Sequence, residues 1–149
     1  MSDSDLIKLY SGRILALAAQ IPHAGRLDTP MASVKRRSPL CGSTVTVDLD
    51  VQEGRVSRFG QEVKACALGQ ASASVLGAVV IGRSRTELED ALTQLRAMLK
   101  SGGPVPAAPF EGFEVLLPAR DYKNRHASIL LALEATVEAL AAAEATTCA

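Results

Sequence analysis

Apolar residues first recur at helical spacing. Leu6, Leu9, Tyr10, Ile14, Leu17 and Ala18 lie on one face and predict an amphipathic helix from Ser4 to Ile21, stopped by Pro22. The stretch from Pro22 to Pro39 has no such period. With Pro22, Gly25 and Pro30 it reads as an irregular connection, and its basic cluster Lys35-Arg36-Arg37 is either a solvated loop or a docking patch for an acidic partner. From Thr44 the pattern becomes strict alternation: Val45, Val47, Leu49 and Val51 on one face, Thr44, Thr46, Asp48 and Asp50 on the other. That is the signature of a half-buried antiparallel strand. Gln52-Glu53-Gly54 suits a tight hairpin turn, because glycine accepts positive φ. Val56 to Phe59 and Glu62 to Ala65 follow as two short strands punctuated by Gly60, which predicts a three-stranded meander.

Helical spacing then returns. The small residues from Gly69 to Ser74 open a helix that runs to about Ile81, with Gly82 as its stop. Ser84-Arg85-Thr86-Glu87 has the form of a capping box, followed by a buried stripe of Leu88, Ala91, Leu92, Leu95 and Leu99. Gly102-Gly103 ends that helix, and Pro104 to Pro118 reads as a loop. A last helix begins near Asn124, buries Ile129, Leu130, Leu133, Val137 and Leu140, and fades into an alanine-rich tail. The class is α+β, a three-stranded antiparallel sheet packed against helices, in one domain spanning 1–149 with 1–3 and 144–149 frayed.

Composition narrows the function classes. Of 149 residues 48% are apolar, enough for a core that needs no cofactor to fold. The 16 Lys and Arg balance 16 Asp and Glu, so no long-range positive field gathers nucleic acid or anionic lipid. Aromatics are 3% with no Trp, which removes the stacking platforms of a single-strand binder. The longest apolar run, Leu76 to Ile81, is too short to span a bilayer, and a cytoplasmic protein is expected. Three cysteines in a reducing compartment point to metal or sulfur chemistry rather than a disulfide framework.

Two of those cysteines border predicted elements. Cys41 precedes the first strand in Pro39-Leu40-Cys41-Gly42, and Cys66 follows the third in Ala65-Cys66-Ala67. A thiol in mid-element is usually packing. One beside a helix N-terminus meets unpaired N–H groups that favour a thiolate. The two lie 25 positions apart, and in a meander the start of strand one is diagonal to the end of strand three, so loop geometry must close the gap. His126, at the start of the last helix, supplies an imidazole for a third corner of a metal site, or is a plain surface histidine. His23 reads as a loop residue and Cys148 as a passive thiol at the chain end. Ser128 stands two positions from His126 on a helix, where the side chains diverge, so no hydrolase is expected.

The chain resembles the iron-sulfur scaffold proteins of the NifU N-terminal, IscU and SufU type over roughly Leu9 to Ala141. Pro39-Leu40-Cys41-Gly42, Cys66-Ala67-Leu68-Gly69-Gln70-Ala71-Ser72-Ala73-Ser74, Arg125-His126-Ala127-Ser128-Ile129-Leu130 and Leu9-Tyr10-Ser11 carry the likeness. The resemblance implies three cysteines with an aspartate, and in some members a histidine, holding a 2Fe-2S cluster or zinc at one end of the sheet. Cys41, Cys66 and His126 match that set. Ser43 stands where the family has its aspartate and Ala127 where it has its third cysteine. The 60 positions from Cys66 to His126 resemble the longer SufU branch, and Leu117-Pro118-Ala119-Arg120 stands near the place of the Leu-Pro-Pro-Val-Lys chaperone motif of IscU-type proteins.

The resemblance implies a scaffold or carrier, not an enzyme, that holds iron or a 2Fe-2S cluster transiently through Cys41, Cys66 and His126. Its partners would be a cysteine desulfurase and recipient apoproteins, with no nucleic acid and no membrane. One alternative is a SufU-like zinc-binding sulfur acceptor for the desulfurase. Another is a degenerate paralogue that acts only as an interaction module.

Overall fold

The computed structural model describes residues 10–39 and 42–147. Within them the element order is α1 (Gly12–Ala19), β1 (Ala32–Arg37), β2 (Thr44–Gln52), β3 (Arg55–Lys64), α2 (Ala67–Val79), α3 (Arg85–Lys100), a 3₁₀ segment (Glu111–Asp121) and α4 (Lys123–Thr147). The strands form one antiparallel sheet in the order β1-β2-β3. The class is therefore α+β as expected, and β2 is the strand read from Thr44, but the other two strands differ from the predicted pair.

Two differences matter for the site. The connection after Pro22 holds an edge strand, β1, which pairs along β2 from Ala32↔Leu49 to Arg37↔Thr44. The two short strands after the hairpin are one, β3, because Gly60 continues the ladder opposite Asp48 instead of interrupting it. The predicted diagonal is thereby replaced. Thr44, which opens β2, pairs with Lys64, which closes β3, so the chain entering β2 and the chain leaving β3 meet at one end of the sheet. The β2–β3 turn is a two-residue hairpin whose Glu53 (φ +55) and Gly54 (φ +75) both take positive φ, as the right-handed strand twist favours.

Side-chain alternation sorts the sheet into two faces. Val45, Val47 and Leu49 share a face with Val63 and Phe59 of β3 and with Ala32, Val34 and Arg36 of β1. Arg36 on that face reaches Glu138 of α4 (3.0 Å), which marks it as the face covered by helices. The opposite face is not simply exposed, as a half-buried strand would require. Asp48 is fully buried there and Thr46 nearly so. The segment after Pro22 folds over this face. Asp48 Oδ2 accepts from Arg26 Nε (2.7 Å) and Leu27 N (3.0 Å), and Oδ1 from Ser33 Oγ (2.6 Å). Burial pushes the Asp48 carboxyl up, but the hydrogen bonds from Arg26, Ser33 and Leu27 N together hold it below its ordinary range. Gly60 lets the cover close, since a Cβ there would lie 2.8 Å from Gly25 O.

The helices share one core with the sheet, in which Leu68, Leu76, Leu88, Leu95, Ile129 and Leu133 are fully buried. α4 lies across β1 and β2 and is flanked by α2 and α3, while α1 packs on α2. By length and composition alone α4 could cross a membrane, which a search for continuous apolar runs overlooks. Within its most apolar window 67% of the residues are buried against the rest of the protein, as in a core helix. It runs through the alanine-rich stretch to Thr147. The region predicted as a loop from Pro104 holds the 3₁₀ segment, with Phe113, Leu116 and Ala119 buried. At the other end, the residues preceding Tyr10 in the predicted first helix lie outside the described residues.

Candidate metal and sulfur site

β3 ends at Lys64 and α2 begins at Ala67, so the strand hands the chain directly to a helix with Cys66 as its N-cap. The Cys66 thiol is partly exposed and makes no cap bond to its own helix. Its Sγ lies 3.5 Å from Ser128 Oγ on α4, and Ser128 Oγ lies 3.2 Å from Ser43 Oγ at the entry to β2. Ser43 and Ser128 are both buried. A thiol and two hydroxyls from three separate elements thus form one hydrogen-bonded chain at the end of the sheet.

The approach of α4 to α2 depends on small residues. A Cβ on Gly69 would stand 2.5 Å from Ser128 Oγ and 2.8 Å from Ala65 Cβ, so only glycine admits Ser128 here. One turn on, Ser72 Oγ donates to Ile129 O (2.6 Å) and ties the helices together. The β1–β2 connection is closed by Ser38 N donating to Ser43 O (2.8 Å) and Gly42 N to Ser38 O (3.1 Å), with Gly42 at φ +72. Cys41 belongs to this connection by sequence but lies outside the described residues, as does Cys148.

His126 opens α4 and is 4% exposed, so it is not a surface histidine. Its Nε2 lies 3.0 Å from Ala119 O and 3.1 Å from Arg120 O. Carbonyl oxygens only accept, so Nε2 carries the hydrogen and, in the neutral ring, Nδ1 holds the lone pair. Backbone carbonyls commonly orient a metal-ligating imidazole in this way. Among the described residues no three His, Cys, Asp or Glu side chains are grouped to hold a metal ion. Of the predicted set the structure places Cys66 and His126. Beside Cys66 it places Ser128 and, through Ser128, Ser43, which stands where the resemblance puts an aspartate. His23 sits beside β3, its ring edge-on to Phe59 at 6.2 Å.

Residues 9–109 match the family of the NifU-like N terminal domain. The chain belongs to that family. A crystal structure of a nitrogen-fixing NifU-like protein (N-terminal) from Brucella abortus is 43% identical, covers 95% of this chain and 98% of its own, and superposes with a TM-score of 0.91. The iron-sulfur cluster assembly scaffold protein IscU of Thermotoga maritima is 26% identical over 132 residues, which cover 89% of this chain and 92% of its own. A putative iron-sulfur cluster assembly scaffold protein for the SUF system from Fervidobacterium islandicum shares the fold, with a TM-score of 0.79 at 20% identity over 90% of this chain and 98% of its own. The NifU-like match spans both Cys41 and Cys66 but stops short of His126, so the likeness at α4 rests on the longer alignments.

Proposed function

We propose that the protein is an iron-sulfur cluster assembly scaffold or carrier. Its cargo is iron or a 2Fe-2S cluster, held in transit by the thiolates of Cys41 and Cys66 and by His126. A cysteine desulfurase supplies the sulfur, and recipient apoproteins take the cargo. The observation that carries this reading is the convergence of Cys66, Ser43 and Ser128 where β2 begins and β3 ends. Ser43 follows Cys41 by two positions, a span the chain covers in about 7 Å at most. Covalent geometry thus permits a second thiolate to join the first. Thiolate and imidazole suit iron and zinc, and a half-open site lets a recipient's ligands displace the carrier's.

A second reading is favoured by the hydroxyls that line the site. Ser43 and Ala127 leave fewer anionic donors than a closed metal cage requires, whereas a sulfur acceptor needs one accessible thiolate. In that reading the thiolate of Cys66 attacks the outer sulfur of a desulfurase persulfide. The new S–S bond forms on Cys66 as the old one breaks, and the desulfurase cysteine leaves as thiolate. Iron, zinc and acid-labile sulfide measured in protein purified without air separate the readings. Iron with sulfide and a visible charge-transfer band supports the carrier. Colourless stoichiometric zinc supports the acceptor. Retention of no metal, with no sulfur taken up from a desulfurase, overturns both and leaves an interaction module.

A further inference from the structure

The basic run that the sequence leaves ambiguous is divided by the strand that contains it. Arg36 points to the helix-covered face and pairs with Glu138, while Lys35 and Arg37 share the opposite face. The register places Lys64 of β3 on that face too, with Arg37, Thr44 and Lys64 forming one row across the sheet and Lys35, Thr46 and Glu62 the next. Lys35, Arg37 and Lys64 are all exposed. Among the described residues none of the three makes an ion pair, whereas Arg26, Arg36, Arg55, Arg58, Arg83, Arg85 and Arg96 each do. The one acid in the two rows, Glu62, also interacts electrostatically with Arg26.

We propose that this face, at the end of the sheet that carries Cys66, docks an acidic surface of the sulfur-donating desulfurase. The inference rests on the function proposed above and adds to it the place and the chemistry of the encounter. Charged side chains on edge strands also discourage sheet-to-sheet pairing. That role does not require three charges of one sign gathered at one end of one face in a chain whose net charge is zero. Position adds to the case. Lys64 is two residues before Cys66, and Arg37 Nη2 lies 3.7 Å from where a Cβ on Gly42 would sit. A partner drawn by these cations meets the thiol and the β1–β2 connection together. Same-sign clusters of this kind raise association rates and select for opposite charge.

The test is the association rate of the full chain with purified cysteine desulfurase at low and high salt. The wild-type rate falls steeply as salt rises, and Lys35→Glu/Arg37→Glu/Lys64→Glu lowers the low-salt rate by about tenfold or more and flattens the salt dependence. Lys35→Gln/Arg37→Gln/Lys64→Gln falls between, and circular dichroism confirms that both variants fold. Arg13→Glu/Arg96→Glu/Lys100→Glu, on the exposed sides of α1 and α3 and with the same net charge, retains the wild-type rate. A triple variant that associates as fast as wild type, or a control that slows equally, overturns the docking surface. Persulfide formation on Cys66 then still stands or falls by its own measurement. Wild-type protein that neither binds the desulfurase nor accepts sulfur from it overturns both inferences. Binding to phosphatidylglycerol vesicles that the first substitutions abolish assigns the patch to a membrane and overturns the proposal.

Discussion

At the scale of single residues the site is held by close approach more than by charge. Gly69 admits the Ser128 hydroxyl to within hydrogen-bond distance of Cys66. Gly69→Ala gains helix propensity but must displace Ser128 or Ala65. The net expectation is a loss of about 1–2 kcal/mol, seen as a lower Tm, with weaker metal retention. An unchanged Tm would mean that Ser128 gives way freely. Asp48 provides a pH test. Its folded-state pKa is lowered, so its contribution to stability is complete above the ordinary carboxylate value of about 3.9 and is lost as the pH falls through the folded value. Asp48→Asn costs on the order of 2 kcal/mol at neutral pH, and the gap in Tm between variant and wild type narrows on acidification toward pH ~3. A gap independent of pH would contradict this. The border position of Cys66 and the place of His126 at the start of the last helix were legible in the sequence. Ser128 was not, because helical spacing from His126 shows only that the two side chains diverge, and its partner stands 62 positions away.

At the scale of elements, the signals that succeeded were local and those that failed were not. The capping box before α3 forms as read. Ser84 Oγ accepts from Glu87 N (3.3 Å) and Glu87 Oε1 from Ser84 N (3.2 Å). The Ser84 N–H holds the Glu87 carboxyl below its usual range, against the effect of burial and with help from Arg55 and Arg83. Ser84→Ala removes about 1 kcal/mol, a fall of about 2–4 °C in Tm by thermal melting. β1 was invisible because it is an edge strand with only Ala32 buried, and its pairing with β2 makes it a strand. Gly60 read as a break because its purpose, clearance for Gly25 O, lies in another segment. Phe113, Leu116 and Ala119 recur every third residue, the 3₁₀ period, which templates of 3.6 and 2 do not register.

At the scale of the whole molecule, fold and family were readable from four short motifs, whereas the adjacency of the two sheet ends required the true strand pairing. The same pairing that brings Ser43 to Cys66 leaves Lys35, Arg37 and Lys64 on a common face. Ala127 stands beside Ser128, where the family resemblance implies a third cysteine. Ala127→Cys is expected to tighten zinc binding by about tenfold or more, measured by competition with a chelator. No change would place α4 outside the metal site. His126→Ala should weaken retention less than loss of either thiolate, since water replaces one imidazole more readily than one thiolate. The most direct measurement is the iron and acid-labile sulfide retained after anaerobic reconstitution by wild type, Cys41→Ser and Cys66→Ser, with far-UV circular dichroism on each. Wild type retains both, and either substitution loses both while the helical signal is unchanged. Equal iron and sulfide in all three proteins would contradict a site built on these two thiols.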